Sequence, residues 1–165
     1  MSVLQEGRLR IDVPNAVSFC KFDGPTHGLS HCMKAVDFIV ELADRYLFIE
    51  IKDPDNPASN PSDKTEFSNK LQSGKLDEDL KYKYRDSFLY RWASQQIEKP
   101  IHYYVLVSLS ALGAPELLAR TEQLKRKLPL NGPSSGVWKR TMVAQCAVFN
   151  IDAWNRLLAY PITVI

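Results

Sequence analysis

Asp37, Glu50 and Lys52 are the residues of this chain whose types and spacing could do chemistry. Two carboxylates set close together repel unless a cation or a proton relieves them, and an ammonium beside them can orient water or offset charge on a phosphate. Such a set suits hydrolysis by water activated at a divalent metal ion. Whether the three meet depends on the elements that carry them. Ala35 to Glu41 alternates Val36, Phe38 and Val40 with Asp37, Ile39 and Glu41; Tyr46 to Lys52 alternates Leu47, Ile49 and Ile51 with Tyr46, Phe48, Glu50 and Lys52. Both have the two-residue period of a strand, and Leu42 to Arg45 is then the turn. Paired as an antiparallel hairpin, the two segments set Glu41 opposite Tyr46, Ile39 opposite Phe48 and Asp37 opposite Glu50. Opposed Cβ atoms lie roughly 4.5 to 5.5 Å apart, close enough for both carboxylates to reach one cation. Lys52 follows on the same face, one pleat along.

Asp37, twelve intervening residues, then Glu50-Ile51-Lys52 on a neighbouring strand resembles the PD-(D/E)XK nuclease superfamily. The resemblance implies a restriction-endonuclease-like α/β fold: a mixed sheet with an antiparallel hairpin start, flanked by helices. It further implies Mg²⁺, with Mn²⁺ as a substitute, held by Asp37, Glu50 and the carbonyl of Ile51, and Lys52 as the group that orients the attacking water. The substrate class it implies is nucleic acid, expected to be DNA. A non-catalytic nucleic-acid or protein binding module on the same fold is the alternative. The residue before the Asp is Val36 where the family has Pro, and the N-terminal acidic residue of many members has only Glu6 as a counterpart. The resemblance spans roughly residues 16–109, and residues 110–165 form a C-terminal α/β extension.

The chain has 165 residues, 45% of them hydrophobic, which suits one domain with a well-buried core. A net charge of +2 does not by itself announce a polyanionic partner, so any such surface must be local. Cys20, Cys32 and Cys146 are odd in number and scattered, which is no disulfide framework and points to a reducing, cytoplasmic setting. No run of apolar residues is long enough for a membrane span. Cutting both strands of a duplex with a chain this short would call for a second copy, so a homodimer is the corresponding expectation.

The flanking elements follow from periodicity and punctuation. Residues 8–22 read as short strands interrupted at Pro14, with Ala16 to Phe22 pairing with the Asp37 strand. Cys20, His27, His31 and Cys32 have zinc-ligand types but no paired spacing, so the histidines are expected to be solvated loop residues near a cleft. Residues 53–75, with three prolines among Asn, Asp, Ser and Gly, read as a long loop passing the mouth of the site. Leu76 to Ile97 reads as a helix whose buried stripe is Leu76, Leu80, Tyr84, Phe88 and Trp92, with Leu89 beside them. Its flank carries Lys81, Lys83 and Arg85, the expected phosphate contacts. Ile101 to Leu109 is a central strand covered on both faces. Ala114 to Leu128 is a second helix, with Leu117, Leu118, Leu124 and Leu128 inward. Thr141 to Phe149 is a strand, Asn150 caps a short helix through Tyr160, and the terminal ITVI is an edge strand.

Overall fold

The computed structural model describes residues 2–165, folded as a mixed α/β protein with two sheets and four α-helices. In chain order the strands are β1 (Ser2–Glu6), β2 (Leu9–Val13), β3 (Ser18–Lys21), β4 (Phe38–Glu41), β5 (Tyr46–Lys52), β6 (Ile101–Val107), β7 (Gln145–Phe149) and β8 (Ile162–Val164). The helices are α1 (Pro61–Ser73), α2 (Lys75–Ala93), α3 (Ala114–Lys127) and α4 (Ile151–Leu157). Among the described residues, no helix is long and apolar enough to cross a membrane.

The larger sheet has the order β3-β4-β5-β6-β7. Its first two pairings are antiparallel and its last two parallel, the switch falling at β5. The hairpin has the expected register, with Glu41 opposite Tyr46 and Ile39 opposite Phe48. β6 is an interior strand, paired on both edges and next to the edge strand β7, and Tyr103, Val105, Leu106 and Val107 are all buried. One face of this sheet receives α2, where the Tyr84 ring packs on Phe48 and Tyr103. On the other face, Trp154 of α4 meets Tyr104 and Phe149 edge-on.

The smaller sheet has the order β1-β2-β8. The turn between β1 and β2 is Gly7-Arg8, and Gly7 takes the left-handed φ of 55° that a two-residue hairpin favours. The N-terminal strand β1 is an addition to the strands expected from the sequence. Leu4, Leu9, Ile11 and Val13 from this sheet join the same hydrophobic core as the larger one.

Four expectations need correction. Residues 61–73 are a helix rather than loop. Asn60 accepts a hydrogen bond from the Asp63 N–H at 2.8 Å, Pro61 occupies the first turn, and Gly74 at φ 77° ends the helix. The Asn-Pro pair is thus a helix start, where proline's missing N–H costs nothing. Next, α2 stops at Ala93, with Trp92 63% and Leu89 51% exposed. Residues four apart on a helix advance about 40° per step, so a strict four-residue series rotates off the buried face by its far end. The same geometry puts Leu118 62% in solvent, while Leu117, Thr121, Leu124 and Leu128 form the buried stripe of α3. Finally, β7 begins only at Gln145.

Candidate metal and phosphate site

Asp37 comes to its place through the backbone on both sides of it. The Val36 N–H donates to Ser87 Oγ on α2 at 3.0 Å, and the Asp37 carbonyl accepts from the Phe22 N–H at 2.8 Å. Continuing the hairpin register by one pair beyond Phe38 and Ile49 sets Asp37 opposite Glu50. The Asp37 carboxylate Oδ2 then accepts the Ile51 N–H at 2.6 Å. Along a strand, a residue's N–H and C=O point to the same edge, so the Ile51 carbonyl also faces the Asp37 side. The next carbonyl, that of Lys52, turns the other way and accepts from the Ser108 N–H beyond β6.

Glu50 is completely buried. Lys52 and Lys83 each bring Nζ to 2.8 Å from its Oε1. Both are at ion-pair distance but off hydrogen-bond angle, and Oε2 has no hydrogen-bond partner among the described residues. Lys83 also lies 3.6 Å from Asp23. Burial works against the charge on Lys83, but Glu50, Asp37 and Asp23 outweigh it and hold its pKa above the ordinary lysine value.

Burial first, and the charge of Glu50 second, push the Asp37 carboxyl up to about 7 against the pull of Lys83, the Ile51 N–H and Lys52. An aspartate in the unfolded chain ionises near 3.8, so the metal-free fold keeps a proton that the unfolded chain has shed. This contribution to stability is complete below about pH 4, is lost as the pH rises to about 7, and is constant beyond. The metal-free urea midpoint is therefore expected to fall between about pH 5 and about pH 7.5 in the wild type, and to fall less in Asp37→Asn. Equal falls would show that Asp37 titrates normally.

Beside these groups opens a cavity of about 510 Å³ lined by Lys52, Lys83 and Asp23 together with Asp63, Glu66 and Phe67 of α1. The segment after Lys52 therefore does line the mouth of the site, as a helix.

The structure brings together Asp37, Glu50, Ile51 and Lys52 and adds Lys83, which the sequence had placed on an outer flank with Lys81 and Arg85. Those three do not share a face. Lys83 turns in to Glu50, Lys81 is held by Glu78 at 2.5 Å, and Arg85 is exposed. The inward turn had a signal: Leu76, Leu80, Lys83 and Ser87 follow the i, i+4, i+7, i+11 spacing of a buried stripe. Glu6 is paired with Lys21 at 2.6 Å, and Lys21 in turn feels the charges of Asp37 and Asp23. His27 is not a solvated loop residue either: it is buried, stacked on Tyr90 and edge-on to Phe22.

Fold and site together define a mixed α/β protein with a cross-strand carboxylate pair and two converging ammoniums at the rim of a polar cleft. No protein-family model, curated protein or solved structure matches this chain.

Proposed function

We infer that the protein is a metal-dependent nuclease with a restriction-endonuclease-like core, hydrolysing DNA phosphodiester bonds. The observation that carries this reading is the Glu50 carboxylate, fully buried with Oε2 unpartnered and its neighbour Asp37 one strand away. A buried acceptor with no donor costs a fold about 1–3 kcal/mol, a penalty that a cation at that oxygen would remove.

The residues present fit Mg²⁺. That ion takes hard oxygen ligands, commonly one or two carboxylates with water and substrate phosphate, and here Asp37, Glu50 and the Ile51 carbonyl would hold it. Once bound it would supply Lewis acidity toward a phosphoryl oxygen and ease the ionisation of water. The chain's own contribution is positional. Lys52, 30% exposed at the cleft, can hold the attacking water and face the phosphate. Lys83 keeps Glu50 charge-balanced from the α2 side. The cleft lining sets Lys34, Lys52, Lys70 and Lys83 among Asp23, Asp63, Glu66 and Asp79, so the pull on a phosphate is local to the Lys52 and Lys83 ammoniums.

The second reading, a binding module without catalysis, draws on the same Glu50. Its Oε1 already has two ammoniums within 2.8 Å, which balance its charge with no cation present.

Calorimetric titration with Mn²⁺ is the test. The nuclease reading expects one site in the wild type, no heat in Asp37→Ala, and cleavage of DNA in Mg²⁺ or Mn²⁺ by the wild type alone. Absence of heat in the wild type removes the metal site. Heat without cleavage of any DNA or RNA substrate leaves the binding module.

A further inference from the structure

Between Glu122 and Asp152 the chain carries Lys125, Arg126, Lys127, Lys139 and Arg140 and no carboxylate. Lys125 and Lys127 are paired with Glu122 and Glu78. Arg126, Lys139 and Arg140 form no ion pair among the described residues. Arg140 is anchored by Nη1 to the Ile97 carbonyl at 3.2 Å, which fixes its place beyond the end of α2 without neutralising it.

The loop that joins α3 to β7 sets an aromatic ring beside these charges. Trp138 is 43% exposed, and its neighbour Val137 is 92% exposed. The indole lies directly against Gly132, where a Cβ would come within 2.6 Å of its Cγ. Pro133 packs in the same way against Gly136, again at 2.6 Å from a Cβ that is not there. Two ring-on-glycine contacts thus shape the loop and hold the indole partly in solvent.

We propose that this loop is a stacking platform for single-stranded nucleic acid, with an unpaired base on the Trp138 indole and adjacent phosphates on Lys139 and Arg140. The pairing of an exposed indole with cations that have no acidic partner among the described residues matches an unpaired strand, which offers a π-face and a phosphate at every step. A duplex matches less well, because its base faces are already stacked. The inference deepens the nuclease reading by naming the strand form engaged, and it rests on that reading for the class of partner. The platform is a separate subsite. Ala144, at the end of this loop, donates to the Ile101 carbonyl, level with Tyr46 at the start of β5, whereas Lys52 ends that strand. At about 3.3 Å per residue, the two levels are roughly 20 Å apart along the sheet.

The test is fluorescence anisotropy of the full chain with labelled thymidine and uridine oligomers and a duplex of equal length, in EDTA so that binding is read without cleavage. Trp138→Ala is expected to weaken single-strand binding by about 5- to 150-fold, the loss of one base stack, and to leave duplex binding unchanged. Trp138→Phe, which keeps a ring, should retain most of the affinity. Replacing Lys139 and Arg140 together by Ala should flatten the dependence of affinity on salt. In a Trp92→Phe background the thymidine oligomer should quench Trp138 emission, and phosphatidylserine vesicles should not. Unchanged affinity in Trp138→Ala, an equal loss for duplex, failure of both oligomers to bind, or quenching by vesicles alone would each overturn the platform. The two readings fail separately. If Trp138 proves irrelevant while duplex DNA is still cut in Mg²⁺, only the platform is lost; if nothing is cut but the oligomers still need Trp138, the platform stands and the nuclease falls.

Discussion

Lys52→Ala is expected to cleave DNA at a rate about 10² to 10³ below wild type while still binding Mn²⁺. The separation follows from where Lys52 sits. As an ammonium it would be no ligand of the metal ion, and it is the more exposed of the two on Glu50 Oε1, 30% against 16% for Lys83. With Lys83 still 2.8 Å from that oxygen, Glu50 keeps a counter-charge and the fold keeps its ion pair. What disappears is a preorganised positive group facing the cleft, where charge would develop on the phosphate. Losses of that kind cost about 3 to 4 kcal/mol of transition-state stabilisation. Cleavage by Lys52→Ala at the wild-type rate would show that the assigned role is wrong.

Glu50→Ala should damage the fold itself. It strips Lys83, only 16% exposed, of its closest counter-ion and leaves that ammonium with Asp37, which titrates near neutrality, and the more distant Asp23. Breaking a buried pair by removing one partner costs about 3 to 5 kcal/mol. In a chain of this size that is a fall of about 6 to 20 °C in melting temperature. Mn²⁺ binding should go with it. The double replacement Glu50→Leu with Lys83→Met behaves differently, since apolar side chains of similar volume need no counter-ion. It should melt at or above the wild-type temperature and bind no Mn²⁺. Were Glu50→Ala to melt like wild type, the burial of this pair would be refuted. Should the double replacement melt as low as the single one, shape rather than charge would dominate at this point.

The hairpin was legible because two independent signals agreed. Its alternation gave the strands, and the four-residue turn then gave the register that opposes Asp37 and Glu50 with no freedom left. The interior place of Ile101–Val107 was legible for a similar reason, as no half-exposed strand tolerates so continuous an apolar run. Lys83 was harder to read. Its charge suggested a solvated flank, and only its spacing from Leu76, Leu80 and Ser87 placed it inward. On α1, the segment's low hydrophobicity and three prolines argued for loop, and just the Asn60-Pro61 pair argued otherwise. The helix buries no residue fully, and Phe67 and Leu71, which pack partly buried on the core, are too short an apolar stripe to stand out. Trp92 was misread because the four-residue series was extended further than helix geometry carries it.

The pairing of β2 with β8 bears on the order in which this protein assembles. Ile11 meets Ile162, so the contact closes a loop of roughly 150 residues, whereas the hairpin that opposes Asp37 and Glu50 closes one of four. Loop-closure entropy rises only logarithmically with length, so the long pairing costs the finished fold little, but contacts so distant in sequence form late. Arg8, at the turn of the small sheet, makes a bidentate pair with Asp53 at 2.9 Å, directly after Lys52. The carboxylates can therefore reach their register early in folding, while the end of the Lys52 strand gains this anchor only once the small sheet has docked.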